Sequence, residues 1–148
     1  MIPRIITLNI PEMIDVSQHL SLKGSTKISN NNLFYLDIDD AYIHQLFPFL
    51  KDDHIKKPDY FGEKSAGAHI TIIYPEEDKK INKEDLVQEH SFLVKNIVTA
   101  EIGQKKYYVL LVESPSLLQL RRKYKLPDLL CFKGYAIDFH ITIGVKVL

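Results

Sequence analysis

Tryptophan is absent from this 148-residue chain, and cysteine occurs once, at Cys131. A lone thiol excludes an internal disulfide and leaves no second cysteine for a zinc site. Cys131 is therefore expected as a half-buried, small apolar side chain. There is no surplus of either charge: 19 Lys and Arg balance 19 Asp and Glu. A chain without a long-range field is not expected to bind duplex DNA tightly, whereas a small anion or an RNA terminus depends only on local charge. No apolar run approaches the roughly 18 residues that span a bilayer, and no leader pattern opens the chain, so no membrane partner and a cytoplasmic setting are expected. Glycine-rich phosphate loops, HxH and HxxxH pairs are all missing, so neither a metal nor another cofactor is expected. Oligomeric state is not legible.

What the chain does have is a doubled tetrapeptide, His69-Ile70-Thr71-Ile72 and His140-Ile141-Thr142-Ile143. Each copy lies in an apolar run that reads as a strand. Strand side chains alternate faces, so the His and Thr of each copy point one way and the isoleucines the other. Two imidazoles and two hydroxyls can then meet over one cleft, which is apparatus for acid–base chemistry on a phosphate.

The surroundings of the two copies rhyme. In the first half, Arg4 to Ile10 and Leu33 to Ile38 read as strands, and Asp39 or Asp40 can cap a helix striped by Tyr42, Ile43, Leu46, Phe47 and Leu50 that Pro48 limits. In the second half, Asn96 to Ile102 and Tyr107 to Val112 read as strands about a turn at Gly103, and Ser114-Pro115 starts a helix carrying Leu117, Leu118, Leu120, Arg121 and Tyr124. Pro58-Asp59 precedes Lys64 and His69, as Pro127-Asp128 precedes Lys133 and His140. Residues 17–32 read as a polar surface loop. Asn82 is expected to cap a short helix from Lys83 to about Leu93. The run Arg121-Arg122-Lys123 with Lys125 reads as the wet side of a helix. The expectation is one α+β domain over 1–148, with pseudo-repeats at about 1–76 and 94–148. Antiparallel sheets, two small ones or one curved sheet, would surround a central cleft, with helices outside.

The doubled His-x-Thr-x, each copy on a strand of a repeated unit, resembles the 2H phosphoesterase superfamily. The resemblance implies catalytic His69 and His140, phosphate-binding Thr71 and Thr142, and hydrolysis of phosphodiester bonds without metal. Its members' substrates imply a nucleotide or RNA-terminal phosphodiester: a 2′,3′-cyclic phosphate, or a 2′,5′-linked or cyclic oligonucleotide. The alternative is a non-catalytic nucleotide- or RNA-binding module that keeps the fold. Further candidates for substrate contact are Tyr74 at a strand end, the loop lysines Lys64 and Lys133, and the aromatics Phe132, Tyr135 and Phe139, which can offer a base a stacking surface. His19, His44, His54 and His90 lack a repeated setting and are expected on the surface or on helix faces.

Overall fold

The computed structural model describes residues 2–58 and 66–148. The chain enters through β1 (Arg4–Leu8) and turns into a short helix, α1 (Pro11–Ser17), whose first-turn proline loses no hydrogen bond there. β2 (Lys23–Ile28) and β3 (Phe34–Asp37) follow, then α2 (Ala41–His44), which passes into a 3-10 turn at Phe47–Phe49 as Pro48 requires. The first motif forms β4 (His69–Ile73). After β5 (Glu89–Ser91), the long hairpin of β6 (Leu93–Ile102) and β7 (Lys105–Glu113) leads to α3 (Pro115–Lys123). Ser114 caps that helix as expected, its Oγ accepting from the Leu117 amide at 3.3 Å. A small hairpin, β8 (Leu130–Phe132) and β9 (Tyr135–Ile137), precedes the second motif strand, β10 (His140–Val147).

The architecture is α+β, with an antiparallel sheet in the order β1-β6-β7-β10-β4-β3-β2-β5 and the β8–β9 hairpin separate from it. Of the two arrangements expected, two small sheets or one curved sheet, the main sheet is the continuous one. The motif strands β10 and β4 are neighbours at its centre, with three strands beyond each. Ile70, Ile72, Ile141 and Ile143 have no exposed surface. Burial of each such side chain contributes roughly 1.5–3 kcal/mol. Helices α1, α2 and α3 supply Met13, Tyr42, Ile43, Leu117 and Leu120 to the same core, and Leu46 joins them just past α2. Their partners are crossed. Helix α2, which follows β3, packs on β10, and α3, which follows β7, packs on β4.

Four local expectations are corrected. The polar segment 17–32 contains β2, whose core-facing Thr26 is fully buried and donates its hydroxyl to the Asp85 carbonyl at 2.6 Å. A buried threonine meets its partner through a hydrogen bond, so β2 carries little apolar alternation. The helix expected from Lys83 to Leu93 is only a 3-10 turn, Lys83–Asp85. Backbone pairing of Val87 and Gln88 with Thr26 draws the chain into the sheet instead. The loop expected before the second motif holds the β8–β9 hairpin, closed by Lys133 and Gly134 at φ 49° and 82°, the pair of positive angles that a two-residue turn between twisted strands demands. Cys131 lies exposed on this hairpin, not half-buried.

A fifth correction concerns Arg121, expected among wet cations and found with no exposed surface. Its guanidinium is a brace. Nε donates to the Pro127 carbonyl at 2.8 Å, Nη1 to the Ile72 carbonyl and Glu77 Oε1, each at 2.9 Å, and Nη2 to Glu77 Oε2 and the Leu129 carbonyl, each at 2.8 Å. All five donors of the planar fork are used, which is the condition for burying an arginine. The pair joins the end of β4 to the hairpin. Arg122 and Lys123 do face solvent, paired with Asp128 and with Glu84 and Asp85. Replacing Arg121 by Leu leaves the Glu77 carboxylate buried without its counter-ion. A loss of about 3–5 kcal/mol is expected in urea denaturation, with less than additive loss on combining it with Glu77→Leu.

Candidate active site

Ile141 pairs with Ile70 across the central strands. In that antiparallel register His140 lies across from Thr71, and Thr142 across from His69. The four polar side chains thus form a square on the face opposite the isoleucine core, with the histidines on one diagonal and the threonines on the other. Residues on such a diagonal lie roughly 7–8 Å apart, a gap that suits an oxyanion. The rows continue outward. Leu111 flanks His140 and Val109 flanks Thr142 on β7, while Tyr35 flanks Thr71 and Asp37 flanks His69 on β3. A bulge in β10 between Thr142 and Gly144 follows the square directly.

The two imidazoles are held identically. His69 Nδ1 is 2.8 Å from the Gly67 carbonyl, and His140 Nδ1 is 2.8 Å from the Asp138 carbonyl. A carbonyl can only accept, so each Nδ1 carries a proton and the lone pair of the neutral ring sits on Nε2. Gly67 adopts φ 67°, and a Cβ there would approach Asp40 Oδ1 to 2.6 Å. That carboxylate itself accepts from the Ala68 amide at 2.9 Å. The approach to β4 is thereby set by Gly67 and by Asp40, which lies 28 positions before Ala68. Asp39 takes over at α2, accepting from the Ala41 amide at 2.9 Å.

The surroundings of the two rings differ. Burial lowers the pKa of His69 below 6.5, opposed by its bond to Gly67 and by the charge of Asp37. Burial also lowers that of His140, and the neighbouring charge on His69 lowers it further, against the Asp138 carbonyl and carboxylate. The Tyr35 ring meets His69 edge-on at 5.5 Å between centroids. Asp37 is in turn paired with Lys27 Nζ at 2.7 Å. Each ring thus has a carboxylate near it, Asp37 for His69 and Asp138 for His140, while the strand flanking His140 is apolar.

The square forms one end of a cavity of about 270 Å³ that also receives Tyr74. The cavity spreads over β7, β6 and β1, where Val109, Leu111, Ala100 and Ile5 line it, and the β8–β9 hairpin closes its side. Tyr74 packs on Phe132 at 4.9 Å between centroids, and Phe132 meets Tyr107 edge-on at 6.2 Å.

The remaining sequence candidates are placed elsewhere. Phe139 is 7% exposed and belongs to the core, because strand alternation turns it away from His140. Tyr135 is half-buried on β9 and does not line the cavity, and Lys133 sits exposed at the hairpin turn with Nζ 5.2 Å over the Phe132 ring. Lys64 lies outside the described residues. Among the other histidines, His19, His44 and His54 are exposed, and His90 is half-buried beside Ser116. Asp37, Tyr35, Tyr107 and Asp138 were missed as neighbours of the motif. For Tyr35 and Asp37 a signal existed, since they share one parity on the strand that the repeat plan sets beside β4. Among the described residues no group of three or more His, Cys, Asp or Glu side chains converges as a metal site requires. No helix there is long and apolar enough to cross a membrane.

A family model described as Swiss Army Knife, 2H phosphoesterase domain matches residues 34–147. No curated protein and no solved structure gives a significant match. The matched span contains both His-Ile-Thr-Ile strands and the whole central square, and the chain belongs to the 2H phosphoesterases.

Proposed function

We propose that this protein is a metal-independent phosphodiesterase that cleaves a nucleotide or RNA-terminal phosphodiester by paired-histidine acid–base catalysis. The observation that carries the reading is the square itself: two imidazoles and two hydroxyls on one face of two adjacent strands, above a cavity. Candidate substrates are 2′,3′-cyclic phosphates and 2′,5′-linked or cyclic oligonucleotides. The proposal also takes residues 1–76 and 94–148 as pseudo-repeats of one domain. The matched Nδ1–carbonyl bonds support that, with β1 of the first stretch added to the sheet beside β6 of the second.

The asymmetric surroundings order the two rings. The carboxylate of Asp37 beside His69 favours imidazolium there, and a charge on His69 disfavours one on His140. His140 is accordingly the base and His69 the acid. For a cyclic phosphate, His140 Nε2 takes a proton from water as its oxygen bonds to phosphorus. The bond from phosphorus to one ribose oxygen breaks, and His69 protonates that oxygen. The Thr71 and Thr142 hydroxyls donate to the non-bridging oxygens, where charge accumulates.

A screen of 2′,3′-cyclic, 3′,5′-cyclic, 2′,5′-linked and cyclic-dinucleotide substrates with chelator present tests the reading. Turnover of at least one is expected, with kcat/KM falling roughly 10²–10⁴-fold in His69→Ala and in His140→Ala. Turnover that disappears with chelator, or survives in the double variant, would falsify it. Binding without turnover would instead mark a non-catalytic module.

The pH profile follows from the directions above. Rate rises as the base loses its proton and falls as the acid loses its own. Both rings titrate below 6.5, so the maximum of the bell is expected on the acid side of that value. Asp37→Asn removes the charge that favours His69 imidazolium, so the descending limb should move to still lower pH. An unmoved limb would count against the assignment of His69 as the acid.

A further inference from the structure

The open face of the sheet changes character across the square. On one flank, β7 sets Val109 beside Thr142 and Leu111 beside His140. Farther out, Ala100 of β6 lies opposite Tyr107, and Ile5 of β1 lies opposite Ala100. On the other flank, Tyr35 and Asp37 of β3 adjoin Thr71 and His69, and Lys27 of β2 pairs with Asp37 at 2.7 Å. The cavity takes in the first flank and none of Tyr35, Asp37 and Lys27.

That flank of the cavity has little to offer a polar group. Beyond the square, the polar side chains among its described lining residues are Tyr74, Tyr107 and Asp138 alone, and none is cationic. Burial raises the pKa of the Tyr107 phenol above 10. Strands β6 and β7 are inner strands, so their amides and carbonyls are spent on the strands beside them. A sugar hydroxyl or ring amide laid on Ala100, Val109 and Leu111 would lose water and gain no partner. A second phosphate would lose still more, with no counter-charge. A hydrocarbon group has nothing to leave unpaired, and it gains in proportion to the area it removes from water.

We propose that the surface over β7, β6 and β1 is a subsite for an apolar alcohol, and that the protein has a further activity: hydrolysis of phosphodiesters in which one of the two alcohols is a hydrocarbon chain. This rests on the reading of the square as the phosphate site. A cavity of about 270 Å³ lies just under the range of small-molecule pockets and gives room for one short chain. The placement of the rings settles which ester bond breaks. His140 adjoins β7 and His69 adjoins β3, so with His69 as the acid the leaving alcohol departs over the polar flank. The water oxygen bonds to phosphorus and its proton passes to His140 Nε2. The bond from phosphorus to the oxygen on the polar side breaks, and that oxygen takes the proton of His69. The hydrocarbon stays on phosphorus, so the products are its phosphate monoester and a polar alcohol. A nucleoside as that polar alcohol keeps the substrate within the nucleotide class.

The test uses the methyl, propyl, pentyl and 2-ethoxyethyl esters of adenosine 5′-monophosphate, with chelator present and products identified by phosphorus NMR. In parallel, methyl, propyl and pentyl phosphate are titrated calorimetrically into the unmodified protein. Each added methylene is expected to raise kcat/KM roughly three- to fourfold. The ether oxygen of the 2-ethoxyethyl ester, an acceptor set against an apolar wall, should lower it about tenfold relative to pentyl. The products should be adenosine and the alkyl phosphate. Ala100→Leu, which fills the wall, should bring the pentyl-to-methyl ratio close to one. Ile5 is 45% exposed on the edge strand, so Ile5→Thr should melt like the parent and still cut that ratio about threefold. A parent ratio near one, a ratio unchanged in folded Ala100→Leu, or adenosine 5′-monophosphate as the product would overturn the inference. If no diester is cleaved but pentyl phosphate binds more tightly than methyl phosphate, the catalytic reading falls and takes the activity with it, while the subsite stands. Turnover that ignores chain length sinks the subsite alone.

Discussion

The pairing of β4 with β10 is the constraint on which the rest depends. One antiparallel register, Ile141 against Ile70, does two things at once. It sends four isoleucines into a core shared by all three helices, and it lifts two histidines and two threonines onto the opposite face. A slip of one residue would bury the imidazoles and expose the isoleucines, so hydrophobic burial and site geometry enforce the same register. The chemistry of the site is thus stabilised by burial of side chains that take no part in it.

Around that pair the helices are exchanged, with α2 beneath β10 and α3 beneath β4. Each motif strand is therefore covered by a helix that follows a strand lying beyond the other motif strand. The Arg121–Glu77 brace extends this interlock. Arg121 leaves α3, passes the end of β4 at Ile72, and fixes the turn and hairpin that close the cleft. A side chain buried on the core side in this way sets the position of a wall on the other side.

The symmetry of the motif ends at its borders. Both histidines use the same nitrogen on the same kind of carbonyl two residues back. Beyond them, β3 brings Tyr35 and Asp37 to one ring, while β7 brings Leu111 and Val109 to the other side. Identical side chains in unlike surroundings acquire different proton affinities. The polarity of the cleft has the same origin, since the β7, β6 and β1 side is apolar and the β3 and β2 side is charged.

Much of this was legible in the sequence, for definite reasons. Period-two alternation determined which residues of each motif share a face. Ser114-Pro115 and Pro48 marked a helix start and a helix stop through their own hydrogen-bonding chemistry. Other features had no local signature. Strand β2 faces the core with threonine and lies in a polar stretch, so its burial depends on Asp85 and β5, far along the chain. Arg121 sits in a basic run, and its burial depends on a glutamate 44 positions earlier in the chain. Phe139 lies beside His140 and still faces the core. The sequence by itself determined the family and the four polar groups of the square, because these follow from short-range pattern. The tertiary structure decided which His faces which Thr, what surrounds each ring and what walls the cleft, because those depend on pairings between elements far apart in the chain.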